Sequence, residues 1–303
     1  MIIIRLKGGI GNQMFQYAFG RALSIRRKEP LFLDTSFLGT GPKKAFLHFG
    51  ADTKIDTPRD YALDVFNIQA DIADQKMIAP FDTKSATFIR KIKRRLFRPN
   101  EYKFHRGQAY SKAIFFEGTW NNERYFTDIQ DAVRKEFTLK KPLGAAATIT
   151  AQDIANHKKT EGQATSLHVR RGDYVSNPYA KEQHNILTLD YYKKALAHLS
   201  SKIPKEKIKI YVFSDDIAWV KEHLPLHGYE VAYVSNQKGT ITDGEELYLM
   251  SLCSHHIIAN SSFSWWGAWL NPSVTKIVIA PKRWIRNPYI NVRDACPPSW
   301  IRI

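Results

Sequence analysis

Two hydrophobic patterns alternate along this chain. Short apolar runs rich in Ile, Val and Phe have the composition of buried strands. Between them lie stretches in which apolar residues recur every three or four positions, as on one face of a helix. The opening segment reads strand, turn, helix, strand. Ile2 to Leu6 is β-like, Gly8-Gly9-Ile10-Gly11-Asn12 is a turn, and Gln13 to Arg26 is a helix with Met14, Tyr17, Ala18 and Ala22 toward one side. Pro30 to Asp34 is the second strand and completes a βαβ unit. From Lys44 to Ala79 loops mix with short apolar pieces. Phe88 to Arg98 predicts a basic amphipathic helix, with Ile89, Ile92 and Leu96 among Arg90, Lys91, Lys93, Arg94 and Arg95. Phe115 to Trp120 reads as a strand running into a loop, and Tyr125 to Phe137 as a helix.

The polar stretch from Lys140 to Gly162, with Pro142 and Gly144, is expected to hold a domain boundary and divides the chain into domains 1–150 and 151–303. Beyond it the alternation is regular. Strands are expected up to His168 and Val169, over Ile208 to Phe213, Tyr229 to Val234, His256 to Ala259 and Lys276 to Ala280. Helices are expected between them over Asp190 to Leu199, Asp216 to His223, Gly244 to Cys253 and Phe263 to Leu270. Such alternation implies an α/β fold whose parallel sheet is covered on both faces.

In a parallel sheet every strand's carboxyl end opens on one edge, where ligands bind. Three polar clusters sit at such ends: His168-Val169-Arg170-Arg171-Gly172-Asp173-Tyr174, Ser214-Asp215-Asp216, and Asn260-Ser261-Ser262-Phe263-Ser264. Together they have the parts of a nucleotide site. Arg170, with or without Arg171, can neutralise a diphosphate, because guanidiniums grip phosphate oxygens bidentately. Ser262, Ser264 and the backbone N–H groups of a helix start offer further donors to an anion. A carboxylate at Asp215 can accept two N–H bonds from the Watson–Crick edge of guanine. The plainer readings are a solvated Arg-Arg pair, helix caps at Ser261 or Ser262, and a cap at Asp215 or Asp216. The early Gly9-Ile10-Gly11 pattern lacks the third glycine of a dinucleotide loop, which argues against a nicotinamide site.

Composition narrows the partner. The chain has 303 residues, 44% hydrophobic and 13% aromatic, enough for a packed core in two domains. Its 45 Lys and Arg against 29 Asp and Glu give a net charge of +16, which points to a phosphate-bearing partner or an anionic surface. The Phe88 to Arg98 segment either docks on an anionic membrane or is a solvated basic face. Cys253 and Cys296 make no disulfide framework and are expected to be reduced. The opening Ile run is cut by Arg5 and Lys7, so no signal peptide is expected. No run approaches the ~18–20 apolar residues of a membrane span. The expectation is a cytoplasmic protein, at most peripheral at the inner face of a membrane. No Asp-x-Asp pair and no clustered His/Cys spacing suggests a metal, and His255-His256 reads as structural.

The three clusters, with Trp265-Trp266-Gly267-Ala268 after the last, resemble the ordered motifs of the α-1,2-fucosyltransferases, glycosyltransferase family 11. The segment from Gly8 to Ala18 is similar to that family's amino-terminal signature. So is Gly118 to Phe126, although Trp120-Asn121-Asn122 departs from the more usual aromatic-Gln-Ser. The resemblance implies a GT-B-like α/β fold, two Rossmann-like domains facing a cleft, with an acceptor-side first domain and a second domain that binds GDP-L-fucose. It implies inverting, metal-independent transfer from GDP-β-L-fucose to the 2-OH of a terminal galactose, on an oligosaccharide or a lipid-linked glycan, with no further cofactor and no nucleic acid. By the same resemblance Arg170 holds the β-phosphate, His168 contacts the nucleoside side, and Asp215 contacts the guanine. Ser262, Phe263 and Ser264 line the phosphates, and Asn12 closes over the donor. Candidate bases are Asp173, Glu245 and Glu246; Asp173 heads them, though it can instead orient Arg170 or Arg171. The aromatic run Phe263, Trp265, Trp266 and Trp269 either stacks on sugar or packs a helix on the sheet, and packing is favoured. The alternatives are a fucosyltransferase of another linkage and, from a different class, a polyanion-binding protein.

Overall fold

In a computed structural model, residues 1–39, 59–82, 102–172, 187–234, 240–286 and 292–303 are described. The first strand, β1 (Ile2–Arg5), is buried along its whole length, as its unbroken Ile run requires of a central parallel strand. It lies between β2 (Leu31–Asp34) and β4 (Phe115–Glu117), with β3 (Asp71–Ile72) outside β2, and every pairing is parallel. Helix α1 (Ile10–Arg27) begins at Ile10 rather than Gln13. The reason is that the glycine turn is confined to Gly8, at φ 77°, and Gly9, the extended N-cap. Met14, Tyr17, Ala18 and Ala22 are buried, as their spacing predicts. A Cβ at Gly20 would lie 2.5 Å from Ile4 Cγ1 and 2.9 Å from Leu31 Cδ1, so the helix settles on β1 and β2 at a distance only glycine permits.

The carboxyl end of this sheet holds a buried charge. Arg5 is 2% exposed; its Nε donates to Asp34 Oδ2 at 2.6 Å and its Nη2 to Asp82 Oδ1 at 2.5 Å. Phe37 and Phe115 lie against its guanidinium, 4.4 and 4.8 Å from ring centre to Cζ.

The single helix expected from Tyr125 to Phe137 is broken into two 3₁₀ turns, Glu123–Tyr125 and Thr127–Ile129, followed by α2 (Gln130–Glu136). Tyr125 and Phe126 are both buried, and Phe126, at φ −140° and ψ 12°, departs from helical geometry between the two turns. The divergent Trp120-Asn121-Asn122 segment is occupied in packing. Trp120 stacks on Phe19 at 4.0 Å and donates to Gln108, while Asn122 donates to the Tyr102 carbonyl. The Phe88 to Arg98 segment lies outside the described residues.

The chain divides into two units, Met1–Thr138 with Tyr289–Ala295 and Leu139–Pro288 with Cys296–Ile303. The polar stretch after Lys140 holds α3 (Ala145–Lys159), which buries Ala147 and Ile154 in the second unit. Pro142 and Gly144, which read as linker, mark this helix's start.

The second sheet comprises β5 (Gln163–Val169), β6 (Ile208–Ser214), β7 (Glu230–Val234), β8 (His255–Ile257), β9 (Val278–Ala280) and β10 (Ile301–Arg302). Its order is β7-β6-β5-β8-β9-β10, all parallel. Strand order therefore reverses between β5 and β8. Among the described residues, four further helices follow α3: α4 (Leu189–Ser200), α5 (Ile217–His223), α6 (Asp243–Leu252) and α7 (Ser262–Leu270). Leu167, Val169, Ile210 and Val212 pack with α4 in one apolar cluster; Ala164, Tyr211 and Phe213 pack with α3 and α6 in another. Burial of each large side chain is worth about 1.5–3 kcal/mol, so both faces are driven to be covered. Trp265, Trp266 and Trp269 are buried, with Trp300 5.5 Å from Trp265, which assigns them to packing. The two-residue strands β3 and β10 are too short to carry a sequence period and were not expected.

Candidate functional site

Strand order reverses between β5 and β8, and the carboxyl ends of the strands at such a reversal are where open α/β sheets bind ligands. His168 and Arg170 follow from β5, Asp215 from β6, and Ser262, Phe263 and Ser264 from β8. β5 and β6 pair in register from Gln163↔Ile208 to Val169↔Ser214, so their loops leave the sheet at one level.

His168 is 5% exposed, with Nδ1 2.9 Å from Ser264 Oγ and its ring tilted against Phe263 at 5.7 Å. Burial, and then the charge of Arg170, pushes its pKa down to about 3. The ring is therefore neutral at working pH and serves as a hydrogen-bonding and packing group. Ser261 caps α7 by accepting the Phe263 N–H, as one of the plainer readings holds. Ser262 and Phe263 are half-buried in the first turn. The first turn of α7 carries no acidic side chain, so its dipole is left to favour an anion.

The two arginines are held by the two adjacent aspartates and differ in purpose. Arg170 Nη1 lies 2.9 Å from Asp215 Oδ2, each side chain about a quarter exposed. Arg171 Nε donates to Asp216 Oδ2 at 3.1 Å, and its guanidinium lies over Trp219 at 4.0 Å. Asp216 also caps α5 by accepting the Trp219 N–H. Arg171 is thus held against α5. Asp215 does not cap; its Oδ1 accepts the Arg171 N–H at 2.9 Å while its Oδ2 faces Arg170. Each carboxylate oxygen already has a donor, which sets the direction of Arg170 and weakens the guanine role expected of Asp215. A part-exposed pair of this kind is worth about 0–1 kcal/mol, so an incoming anion displaces it at small cost. A Cβ at Gly172 would stand 2.5 Å from Asp215 Oδ2, which explains the glycine beside the arginines.

Of the candidate bases, Asp173 lies outside the described residues. Glu245 is committed to a capping box with Thr242 and to the Gly144 N–H. Glu246 is 7% exposed, and its Oε1 has no hydrogen-bond partner among the described residues. Burial, then repulsion from Asp243 and Asp215, pushes its pKa up to about 8. The Thr242-x-x-Glu245 spacing is the signal that separates the two glutamates, since it marks Glu245 as a cap. Asn12 belongs to the first unit, half-buried in the first turn of α1, with its N–H on the Gly9 carbonyl.

His256 is structural as expected, bonded to Ser166 Oγ at 2.8 Å and Asn271 Nδ2 at 3.0 Å. Cys253 and Cys296 are buried free thiols. Among the described residues no cluster of His, Cys, Asp or Glu is arranged to hold a metal, and no helix is long and apolar enough to cross a membrane.

The family model of glycosyl transferase family 11 matches residues 50–303. An alpha-1,2-colitosyltransferase of Escherichia coli is 33% identical, with 100% of this chain and 99% of that protein covered. The O-antigen biosynthesis glycosyltransferase WbnK of Escherichia coli is 32% identical, with 98% and 99% covered. A galactoside 2-alpha-L-fucosyltransferase, Sec1 of Mus musculus, is 22% identical, with 100% and 74% covered. Among solved structures, fucosyltransferase NodZ from Bradyrhizobium matches with a TM-score of 0.50 at 13% identity, covering 89% of this chain and 93% of that one. With two Rossmann-like units of parallel sheet, the fold is GT-B-like.

Proposed function

This chain belongs to glycosyl transferase family 11, and from that premise we propose that it is a galactoside α-1,2-fucosyltransferase. The donor is GDP-β-L-fucose, bound by the second unit. The acceptor is the 2-OH of a terminal galactose on an oligosaccharide or a lipid-linked glycan, taken up on the side of the first unit. The observation that carries the reading is the grouping of Arg170, paired to Asp215 after β6, with the neutral His168–Ser264 pair and the start of α7 at the carboxyl ends of β5 and β8, where strand order reverses.

In this mechanism the acceptor oxygen attacks the anomeric carbon as the bond to the β-phosphate oxygen breaks, and the β-linked sugar leaves inverted as an α-fucoside. GDP departs with the bonding electrons. Arg170 meets the charge that develops on it, and the Ser262, Phe263 and Ser264 turn supplies backbone and hydroxyl donors to the same phosphates. Preorganised donors aimed at developing charge are worth about 3–4 kcal/mol each in the transition state. His168 packs the nucleoside side, Asn12 serves donor binding, and Asp173 takes the acceptor's proton. The positive charge comes from side chains, so transfer proceeds in EDTA without a metal.

Incubation with GDP-fucose and a panel of galactosides, followed by linkage analysis, tests the reading; an α-1,2-fucoside is expected, and no transfer to any galactoside refutes it. A colitosyl donor is the second reading, favoured by the similarity to an alpha-1,2-colitosyltransferase. Parallel assays with GDP-fucose and GDP-colitose decide between the two. For the basic Phe88 to Arg98 segment, sedimentation with anionic liposomes at low salt reports whether the chain also works at a membrane surface.

A further inference from the structure

The first sheet has a strand-order reversal of its own. Its order is β3-β2-β1-β4, so β2 and β3 lie to one side of β1 and β4 to the other. Ligands bind beyond the carboxyl ends of strands that flank such a reversal. Here one side chain joins the two loops that leave those ends. Gln16, on the second turn of α1 and 0% exposed, accepts the Lys7 N–H through Oε1 at 3.0 Å. Its Nε2 donates to the Lys7 carbonyl at 3.3 Å and to the Gly118 carbonyl at 3.1 Å. Lys7 lies just past β1 and Gly118 just past β4. A primary amide carries an acceptor and two donors at one tip, so Gln16 serves as a strand partner for both loops where the ladder has ended. The Gly118 loop is tied down further by the stack of Trp120 on Phe19 and by the bond from Asn122 to the Tyr102 carbonyl. Trp120 stands at φ 49°, a left-handed conformation that is costly for a bulky side chain. Between these fixed points Asn121 is the exception: its Oδ1 has no hydrogen-bond partner among the described residues. Strain and an unfilled polar atom, in a loop otherwise held at every step, mark a loop shaped for binding.

Resting on the proposed transfer to a galactoside, we infer that the acceptor sugar binds beyond the carboxyl ends of β1 and β4, that Asn121 takes one of its hydroxyls, and that Gln16 is the positioning residue that sets both loops for it. A sugar hydroxyl donates the hydrogen that the Asn121 oxygen lacks. An amide supplies this contact without a charge to desolvate, as suits a neutral sugar. Gln16 does not touch the sugar, because it is fully buried and both of its amide hydrogens are engaged by the loops. It acts through Lys7 and Gly118. Without its amide the two loops lose their common anchor and shift independently, and Asn121 moves with the second.

Initial rates with varied galactoside and varied GDP-fucose test this in the native chain, Gln16→Met, Asn121→Ala and Tyr17→Phe. Tyr17 is the control. It neighbours Gln16 on α1 and is buried, but its hydroxyl bonds Glu136 and the Gln69 N–H rather than either loop. Gln16→Met and Asn121→Ala are each expected to raise the acceptor KM about tenfold and to leave the GDP-fucose KM within about twofold of native. Tyr17→Phe loses buried hydrogen bonds from the same helix, so it should melt lower and keep both KM values near native. Asn121→Ala should melt no lower than the native chain, since it removes a polar atom without a partner. That variant keeps the test decisive if Gln16→Met does not fold. An acceptor KM unchanged in Asn121→Ala, or raised alike in Gln16→Met and Tyr17→Phe, overturns this inference and leaves the transferase reading standing. Failure of the native chain to transfer fucose to any galactoside overturns both.

Discussion

Replacing Glu246 with Gln is predicted to change how stability varies with pH. The folded protein holds the carboxyl's pKa near 8, against an ordinary value of 4.5, because burial and two neighbouring carboxylates disfavour the charge. Between those values the folded state keeps a proton that the unfolded state has released. Stability therefore falls as pH rises through this window and levels off above about 8. A tenfold change in proton affinity corresponds to about 1.36 kcal/mol, which places the loss from pH 5 to pH 8 on the order of 3–4 kcal/mol. Glutamine carries no titrating proton, so the variant escapes this loss. Urea unfolding of both proteins at pH 5, 6, 7 and 8 measures it. The difference in unfolding free energy should grow in favour of Glu246→Gln by about 1 kcal/mol or more per pH unit across the middle of the range. His168, His255 and His256, whose pKa values are all pushed down by burial, titrate alike in both proteins and cancel from the difference. A difference that stays flat with pH to within about 0.5 kcal/mol would refute the reasoning, since it would mean that Glu246 is already ionised in the fold.

Three other outcomes follow from the geometry. Arg170→Ala should lower kcat by about 10²–10³ with the fold intact, since it removes one preorganised donor to the leaving diphosphate; near-native turnover would remove Arg170 from the mechanism. Gly172→Ala forces a methyl to within 2.5 Å of Asp215 Oδ2 and should cost up to about 10² in kcat/KM through a misaimed Arg170, with little change in thermal stability. Arg5→Met strands the fully buried Asp34 without its partner and should destabilise the first unit by about 3–5 kcal/mol in denaturant titration; a smaller loss is expected for Arg5→Met combined with Asp34→Leu.

Local chemistry alone determined much of this protein. The spacing of apolar residues marks β1, α1, β2 and the strand–helix alternation from β5 to β9, because periods of two and of three to four residues are properties of contiguous chain. That the polar clusters after β5, β6 and β8 share one edge was legible for the same reason: parallel strands send their carboxyl ends to a single edge. Tertiary structure decided what depends on residues far apart in sequence. Strand order, and with it the reversal between β5 and β8, follows from which apolar faces find each other. Arg170 and Arg171 differ in which aspartate each one meets, and Arg171 also in Trp219, a partner that no spacing rule supplies. Pro142 and Gly144 look like linker until α3 is seen to bury Ala147 and Ile154. Glu246 is an ordinary helix glutamate in the sequence. Its pKa is pushed up only where the fold removes it from water and places it near Asp243 and Asp215, because desolvation is set by everything packed around a group rather than by its neighbours in the chain.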